Sequence, residues 1–284
     1  MRHHKTLLIS SVLGSLGAIA LSPEIVQAAT YTLDFDRNSQ GNLIDVSDLG
    51  IAVGNWEKPE NYSQSDFAVN DQWLADFGVS ISTNKKDAVL FNTNPDYYAN
   101  GTSARKNNGD FKGAFDDDLL TGDDYLTYKT EYQDYSTDLG NVLIIQERNA
   151  YWKPDDEGSG GTISFDFEKS VSLSSIDLLD IDEFRANKLV KFTAIGENDT
   201  VIGSWNFDES SAVQLSEGNG DNSLYRFNFD AQGVKQLNVI YPGSGAISAL
   251  RWDEDTPTIP EPTTVLGLFA IAGLGLRMRR MTEA

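Results

Sequence analysis

The sequence contains no cysteine, and its only two histidines are His3 and His4. Without cysteine the chain forms no disulfide, has no thiol nucleophile and offers no thiolate ligand to a metal. Both histidines lie in a segment that we expect to be removed on export, so the mature chain lacks histidine as well. Ser-His-Asp triads, Cys-His pairs and histidine-based zinc sites are therefore excluded. Carboxylate chemistry, oxygen-ligated metals and tyrosine chemistry remain.

Basic residues are also scarce. The chain has 22 lysines and arginines against 43 aspartates and glutamates, which gives a formal net charge of −21. Five of the basic residues but only three of the acidic ones lie near the two ends, so the region between them holds 17 basic and 40 acidic side chains, a net charge of −23. Such a surface attracts cations and repels nucleic acid and anionic lipid, and we expect neither of the latter two as a partner.

The first 28 residues have the layout of a secretory signal peptide. Arg2 and Lys5 form a basic start, residues 7–21 are apolar, and the small residue Ala28 precedes the expected cleavage site. We therefore expect residues 1–28 to be removed and the protein to be exported. The alternative interpretation is an N-terminal membrane anchor.

The C-terminal segment combines three features after a short linker at 256–259. These are the tripeptide Pro260-Glu261-Pro262, an apolar run at 263–276, and a basic cluster of Arg277, Arg279 and Arg280. The run has 14 residues, fewer than the roughly 17–25 of a stable spanning helix. Arginines that follow an apolar segment stay on the cytoplasmic side. The pattern predicts transient insertion of a short transmembrane segment into the inner membrane, with the folded body outside.

This tail resembles the PEP-CTERM sorting signal of exported bacterial proteins, and the resemblance covers residues 260–284. In that family the tail is recognised by an exosortase, an integral-membrane cysteine transpeptidase-like protein. The resemblance therefore implies an exosortase as the processing partner, and delivery to the cell surface or to extracellular polysaccharide. An ordinary tail anchor is the alternative.

Residues 29–255 contain short strand-like runs separated by turn residues. In GTISFDF, for example, Ile163, Phe165 and Phe167 alternate with polar residues, as in a strand with one buried face. About a dozen such runs occur without a convincing helix, and the predicted strands include residues 88–92, 162–167, 171–179, 201–207, 225–229 and 236–240. They predict an all-β fold, a single antiparallel β-sandwich of jelly-roll-like type. Residues 93–140 are dense in Asp, Asn, Gly and Tyr, and we interpret them as long polar loops or an insertion.

Four segments of this body occur in a recognisable order: DFDRNSQGNLI, VNDQWLADFGVSIST, GNVLIIQE with PDDEGSGGTISFDF, and LLDIDE. They resemble the domain found in exported PEP-CTERM proteins of cyanobacteria and proteobacteria. Members of that group are described as surface or extracellular proteins. The resemblance implies a location and a fold, and it brings no catalytic residues with it.

Carboxylates form the candidate metal site. The candidate ligands are Asp180, Asp182, Glu183, Glu147, Asp155 and Asp156. In LLDID, alternation on a strand places Asp180 and Asp182 on one face, about 7 Å apart. Hard oxygen ligands without His or Cys favour Ca²⁺ over a transition metal, so a structural Ca²⁺ is our cofactor hypothesis. The alternative is a solvated acidic strand end that Arg185 neutralises.

A second acidic segment imitates the spacing of an EF-hand loop. Asp34, Asp36, Asn38 and Asp45 stand at ligand positions. The position of the sharp turn holds Ser39 where an EF-hand requires glycine, and the preceding YTLDF alternates as a strand instead of entering as a helix. We therefore interpret the segment as an Asx-rich turn after the first strand.

The aromatic pair Tyr151 and Trp152 lies in the loop QERNAYWKPDDEG and is the candidate surface for stacking on a sugar ring. Packing of the loop itself is the alternative. The function that these features predict is a non-enzymatic, structural or adhesive surface protein with weak binding to extracellular polysaccharide. The alternative is a carbohydrate-active enzyme, a glycosidase or lyase, that uses paired carboxylates such as Glu147 and Asp182.

Overall fold

A computed structural model of the chain describes residues 29–54, 58, 60–94, 119–121, 139–181, 189–208, 210–216 and 223–255. Ala28–Asp255 forms one compact unit by its internal contacts. The predicted signal peptide, the linker, the Pro-Glu-Pro tripeptide, the segment 263–276 and the arginine cluster lie outside the described residues, so they stay predictions. In the part that is described, no helix is long and apolar enough to cross a membrane.

Antiparallel β-strands dominate the described residues. The ten strands are β1 (Thr30–Leu33), β2 (Val79–Thr83), β3 (Ala88–Asn92), β4 (Asn141–Ile145), β5 (Gly161–Leu179), β6 (Val190–Ile195), β7 (Val201–Phe207), β8 (Ala212–Ser216), β9 (Leu224–Tyr241) and β10 (Ala246–Glu254). Between β1 and β2 lies the α-helix α1 (Leu74–Phe77). Short 3₁₀ turns occur at Val46–Leu49, Gln64–Asp66 and Glu197–Asp199.

The two long strands β5 and β9 organise the sandwich because each contributes to both layers. The first half of β5 pairs with β2 and its second half with β10. The first half of β9 pairs with β8 and its second half with β6. Register shifts between Asp166 and Ser175 mark the bulges at which β5 passes from one layer to the other.

The strand order follows from these pairings. Layer 1 has the order β2-β5-β9-β6-β7. Layer 2 has the order β8-β9-β5-β10, and both β1 and the β3–β4 pair lie along the far side of β10. All of these pairings are antiparallel. β1 and β10 thereby bring the start and the end of the domain together.

The main hydrophobic core lies between the two layers. Phe192 of β6 in layer 1 packs against Phe227 and Phe229 of β9 in layer 2, with ring centroids 4.8 and 5.2 Å apart. In β5, Ile163 and Phe165 are fully buried while the alternating residues Thr162, Ser164 and Asp166 are half-buried, because successive side chains of a strand point to opposite faces. Hydrophobic burial across this interface is the main stabilising contribution to the fold.

This architecture confirms the predicted all-β antiparallel sandwich. Two pairs of predicted strands are each one continuous strand: residues 162–167 and 171–179 belong to β5, and residues 225–229 and 236–240 belong to β9. The polar residues between the members of each pair suggest a turn in the sequence. In the structure, bulges in β5 and the pairing of its neighbours carry the strand through that polar stretch.

Part of the predicted 93–140 insertion is buried. Leu119 and Leu120 are fully buried and belong to a second, smaller core cluster beside β3 and β4. Thr121 fixes them there, since its backbone N–H donates to the Thr93 carbonyl at 2.8 Å and its hydroxyl donates to the Thr93 hydroxyl at 2.7 Å. Residues 119–121 therefore anchor the predicted loops or insertion to the domain, because the side chains of Leu119 and Leu120 are buried in the core.

Candidate functional site

A cleft of about 200 Å³ opens where the start of the domain meets its end. Its walls include the aromatic residues Tyr31, Phe77 and Trp252 and the charged residues Asp76, Glu168, Lys169 and Glu254. We call it the Tyr31 cleft. Pockets that enclose a drug-sized ligand have roughly 300–1,000 Å³, so this cleft suits a single ring instead of an extended oligomer.

Strand pairing and one glycine position the walls of the Tyr31 cleft. β1 pairs with β10 in a register that places Tyr31 opposite Trp252. α1 ends at Gly78, whose φ of 65° lies in the left-handed region that favours glycine. The Gly78 carbonyl accepts a hydrogen bond from the backbone N–H of Glu168 at 2.8 Å. This bond ties the end of α1 to the bend of β5 and holds both beside Tyr31.

The floor of the Tyr31 cleft is an aromatic stack. Tyr31 and Trp252 are stacked, with ring centroids 5.6 Å apart and ring planes at 23°. Trp252 in turn contacts Phe167, whose ring centroid lies 5.3 Å away, and Trp252 is only 1% exposed. Tyr31 is half-buried. Tyr31 is therefore the member of this stack that solvent or a ligand can contact.

The rim of the cleft is charged. Lys169 Nζ lies 3.1 Å from Glu254 Oε1, and the Tyr31 hydroxyl donates to the same oxygen at 3.4 Å. Burial, and secondarily the charge of Glu254, raise the pKa of Tyr31, so the phenol keeps its proton at neutral pH and remains a donor. Asp76 accepts hydrogen bonds from the backbone N–H and hydroxyl of Ser39 at 2.7 and 2.6 Å, which orients its carboxylate.

An aromatic floor with a charged rim is suited to a ligand that has one apolar face and several hydroxyl groups. The apolar face of a sugar ring stacks on an aromatic side chain, and its hydroxyls bond to charged groups at the edge. Asp76, Glu168 and Glu254 contribute three negative charges against the one positive charge of Lys169. This imbalance favours a neutral or amino-bearing ligand over an acidic one.

The structure separates the two members of the predicted aromatic pair. Tyr151 is only 4% exposed, and its hydroxyl donates to Asp87 Oδ2 at 2.8 Å. Burial, followed by this bond, raises the pKa of Tyr151 to about 12. For Tyr151 the structure matches the alternative, packing of the loop itself, because the ring packs into the second core cluster and Asp87 satisfies its hydroxyl.

Trp152, the other member, is half-buried. Its ring meets Tyr62 edge to face with centroids 4.7 Å apart. The exposed Lys58 places Nζ 5.5 Å from the Trp152 centroid and 5.7 Å from that of Tyr62. Trp152 therefore presents a smaller aromatic surface than the predicted pair, and a cation already lies over it.

The predicted calcium ligands fall into two groups. In the first, Arg148 Nε bridges Glu147 Oε2 at 3.0 Å and Asp155 Oδ2 at 2.8 Å. The guanidinium thus neutralises the oxygens that a metal would need, and these two residues do not fit a calcium site. Asp182 and Glu183 lie outside the described residues.

The second group contains Asp156 and Asp180, which are 6% and 3% exposed. Asp156 Oδ2 accepts a hydrogen bond from the Gly245 N–H at 2.5 Å. Tyr241 lies near both carboxylates: burial raises its pKa well above the ordinary value, and the charges of Asp156 and Asp180 add to the effect. The Tyr241 hydroxyl is buried and has no hydrogen-bond partner among the described residues.

The carboxylates of Asp156 and Asp180 are hard oxygen donors of the kind that Ca²⁺ accepts, so the chemistry of these two residues fits the predicted ion. Across the described ranges, however, no three or more His, Cys, Asp or Glu side chains come together in a way that could hold a metal ion. The calcium hypothesis therefore remains a prediction whose full ligand set includes residues beyond those described.

The segment with EF-hand-like spacing is a turn. Asp34 bonds to Arg37 at 2.7 Å, Asn38 accepts bonds from the backbone N–H groups of Gln40 and Asn42 at 3.1 and 2.9 Å, and Asp45 caps the following 3₁₀ turn. Each polar oxygen thus serves the local backbone or a neighbouring side chain. The interpretation of residues 34–45 as an Asx-rich turn is confirmed.

A second, more open cleft of about 480 Å³ lies beside this turn. Its walls are Leu43, Ile44, Asp45, Val46, Val53, Asn92 and Asn141. Asn141 links it to Asp36, because Asn141 Nδ2 donates to Asp36 Oδ1 at 2.7 Å. No aromatic side chain is among these wall residues, so the described part of the second cleft offers no stacking surface for a sugar ring.

Comparison with known proteins gives structural similarities at low identity. No protein-family profile matches the chain, and no curated protein matches it. The lectin domain of lectinolysin complexed with Lewis B antigen is 15% identical, with a TM-score of 0.23 over 35% of this chain and 68% of the other. The family 32 CBM of C. perfringens NanJ, in complex with galactose, is 14% identical, with a TM-score of 0.23 over 34% and 69%.

A Streptococcus pneumoniae fucose-binding module is 10% identical, with a TM-score of 0.25 over 61% of this chain and 96% of the module. TM-scores this low transfer no binding residue and no ligand to this chain, and a shared type of fold does not determine function. The functional argument therefore rests on the residues of this chain.

The sequence contains one weak local signal for the Tyr31 cleft. Tyr31 stands in the alternating segment YTLDFD, and that pattern predicts only a strand. Its partner Glu254 is 223 positions away. An alternating strand that exposes a tyrosine at the very start of a domain is the one feature that would have drawn attention to this residue.

Proposed function

We propose that this protein is an exported surface protein whose β-sandwich binds a glycan in the Tyr31 cleft without acting on it chemically. The observation that carries the proposal is the half-exposed ring of Tyr31, stacked on the buried Trp252 and bordered by Glu254 and Lys169. The absence of cysteine, and of histidine after His4, supports a binding role. The acidic rim favours a neutral or amino-bearing sugar at the end of a chain.

The test of this site is the substitution Glu254→Gln, which keeps the shape of the side chain and removes its charge. A glycan array with the full chain identifies the ligand, and titration calorimetry then compares the variants. A hydrogen bond to a charged group contributes about 1.5–3 kcal/mol, so we expect Glu254→Gln to weaken binding by at least about tenfold. The matched control Glu197→Gln, which removes the same charge from an exposed turn, should leave the affinity unchanged.

Two outcomes would contradict the proposal. If Trp152→Ala weakens binding and Glu254→Gln does not, the ligand binds at the loop 146–158, which contains Trp152, instead of the Tyr31 cleft. Release of reducing ends from the bound polysaccharide would show that the protein is an enzyme of the glycosidase type, because a binding protein releases none.

The sorting of the protein is a second part of the proposal. Pro260-Glu261-Pro262, the segment 263–276 and the three arginines together support recognition by an exosortase during transient insertion in the inner membrane. Removal of residues 260–284 should therefore abolish processing and move the protein from the surface to the periplasm or the medium. Fractionation of the producing cells measures this, and unchanged surface placement after the deletion would contradict it.

A structural Ca²⁺ near Asp156 and Asp180 is the third part. These two buried carboxylates are the described residues that would bind the ion, and the ion would supply positive charge that stabilises them away from water. Because such an ion would bind the folded state alone, its removal should lower the stability of the whole domain.

A further inference from the structure

The charges around the Tyr31 cleft are only partly compensated. Glu254 is paired with Lys169, whose Nζ lies 3.1 Å from Glu254 Oε1. Asp76 and Glu168, the other two acidic wall residues, form no ion pair with a lysine or arginine in the described part of the chain. Lys235 approaches Glu168, but its Nζ donates to the Glu168 backbone carbonyl at 2.7 Å. Two carboxylates therefore line the cleft without a positive partner.

Asp76 is held in place by neutral groups. The backbone N–H and the hydroxyl of Ser39 donate to Asp76 Oδ2 and Oδ1 at 2.7 and 2.6 Å. These bonds orient the carboxylate, and neither donor carries a charge that would cancel that of Asp76. Burial is the main cause of the raised pKa of the Tyr31 hydroxyl, followed by Glu254, and the charge of Asp76 adds to it. Asp76 is therefore an oriented, uncompensated anion within electrostatic reach of Tyr31.

An aromatic ring beside such an anion suits an ammonium group. A cation is attracted to the negative face of an aromatic ring, and in a bond from an ammonium to a carboxylate both the donor and the acceptor are ionised. A hydroxyl group in the same position has no charge of its own and gains little from the ring. The rim already holds one ammonium in this way, since Lys169 Nζ and the hydroxyl of Tyr31 contact the same oxygen of Glu254.

A metal ion matches these carboxylates less well. A hard cation such as Ca²⁺ takes about six to eight oxygen ligands that converge on one point. Asp76, Glu168 and Glu254 do not converge in this way, since the described residues contain no group of three or more His, Cys, Asp or Glu side chains that could hold a metal ion. Carboxylates that are spread around the walls of a cleft can instead contact different substituents of one ligand.

We propose that the ligand of the Tyr31 cleft is a hexosamine with a free, protonated amino group at the end of a glycan. This inference rests on the proposed glycan binding and narrows it to one class of sugar. Asp76 binds the ammonium group, and Glu168 adds a second negative charge in the same cleft. The ring lies on Tyr31, and Glu254 and Lys169 bond to its hydroxyls. The volume of about 200 Å³ limits the site to one ring, and the acidic body attracts a cationic ligand from solution.

Three forms of one monosaccharide test the inference. Glucosamine carries the ammonium, N-acetylglucosamine keeps the nitrogen without its charge, and glucose has a hydroxyl in its place. Titration calorimetry with the full chain, in slightly acidic buffer in which the amine is protonated, measures the affinity for each. The same three forms of galactose are measured in parallel, because the two series differ in the orientation of one hydroxyl. In the series that the cleft accepts, we expect the amine to bind about tenfold more tightly than the other two forms.

The variant Asp76→Asn keeps the shape of the side chain and removes its charge. It should lower the affinity for the amine about tenfold, to that for the neutral sugar, and leave binding of the neutral sugar near the wild-type level. The matched control Asp71→Asn removes the same charge from an exposed position just before α1 that is not part of the cleft wall, and it should keep the preference. Glu168→Gln changes a side chain that forms no hydrogen bond within the described residues, and it should reduce the preference too.

Equal affinities for the three forms would overturn the inference, and so would equal effects of Asp76→Asn and Asp71→Asn on binding of the amine. Either result leaves the proposed glycan binding intact, since a neutral sugar would then occupy the cleft. If Asp76→Asn also abolishes binding of the neutral sugar through its contact with Ser39, Glu168→Gln decides, and an unchanged preference in that variant would overturn the inference. Absence of binding to every sugar on the glycan array would overturn the proposed function itself.

Discussion

Asp36 joins the first turn of the domain to the start of β4 by hydrogen bonds, and its side chain is half-buried. Its Oδ2 accepts a hydrogen bond from the Asn141 backbone N–H at 3.0 Å, and its Oδ1 accepts one from Asn141 Nδ2 at 2.7 Å. Burial raises the pKa of Asp36 to about 6, because the two bonds from Asn141 offset the loss of hydration only in part. We therefore expect this single carboxyl group to make the stability of the folded domain depend on pH.

The direction of that dependence follows from the two pKa values. The folded pKa of about 6 lies above the unfolded value of about 3.9, so the folded state binds more protons between them. The contribution of Asp36 to stability is complete below about pH 4 and is lost as the pH rises through about 6. Relative to Asp36→Asn, which does not titrate, the wild-type melting temperature should fall across that interval and then level off.

Thermal melting followed by circular dichroism, at closely spaced pH values, measures this difference. The variant Asp45→Asn is the control with the opposite sign, because hydrogen bonds from Ser47 lower the pKa of Asp45. For that pair the wild type should lose stability relative to the variant as the pH falls. A difference between wild type and Asp36→Asn that stays constant from about pH 4 to about pH 7 would contradict the role of Asp36.

Among the elements, three strands of layer 2 are tied together by Asp177. This β5 residue is 4% exposed and accepts bonds from Arg226 Nε and Nη2 of β9 at 2.6 and 2.8 Å. It also accepts a bond from Arg251 Nη1 of β10 at 2.8 Å. The buried carboxylate therefore joins the strand on each side of it.

The substitution Asp177→Ala would leave two guanidinium groups without their anion. Removal of one partner from a buried ion pair costs about 3–5 kcal/mol, and we expect about 3 kcal/mol because the two arginine side chains remain 30% and 27% exposed. Urea unfolding measures the free energy of unfolding. The control Asp230→Ala, at an exposed position on the same strand as Arg226, should change the free energy of unfolding by less than about 0.5 kcal/mol. Equal effects of the two variants would contradict the role of Asp177 in joining the three strands.

The strands show how far local sequence predicts elements. β3 and β7 lie at the predicted residues, Ala88–Asn92 and Val201–Phe207, because hydrophobic runs bounded by turn residues have few alternatives. The continuity of β5 and β9 was not predictable. A polar stretch inside a long strand resembles a turn locally, and only pairing with neighbours on both sides keeps it extended.

For the whole molecule, the calcium proposal predicts an effect of chelation on stability. An ion that binds the folded state alone stabilises it by mass action, so EDTA should lower the melting temperature of the full chain by several degrees, and added Ca²⁺ should restore it. Asp180→Asn should remove the sensitivity to EDTA. The matched control Asp155→Asn should keep that sensitivity, because Asp155 is already paired with Arg148. Identical melting with and without EDTA would contradict the proposal.

By itself, the sequence determined the all-β class, the exclusion of thiol and histidine chemistry from the body, and the strongly acidic surface, because composition and alternation report directly on these properties. Tertiary structure alone decided the candidate binding site. It brought Tyr31 to Trp252 and Glu254 across more than two hundred positions, and it withdrew Tyr151 into the core. The physical reason is that alternation sets which face of a strand is buried, whereas long-range pairing and packing set which strands and side chains meet.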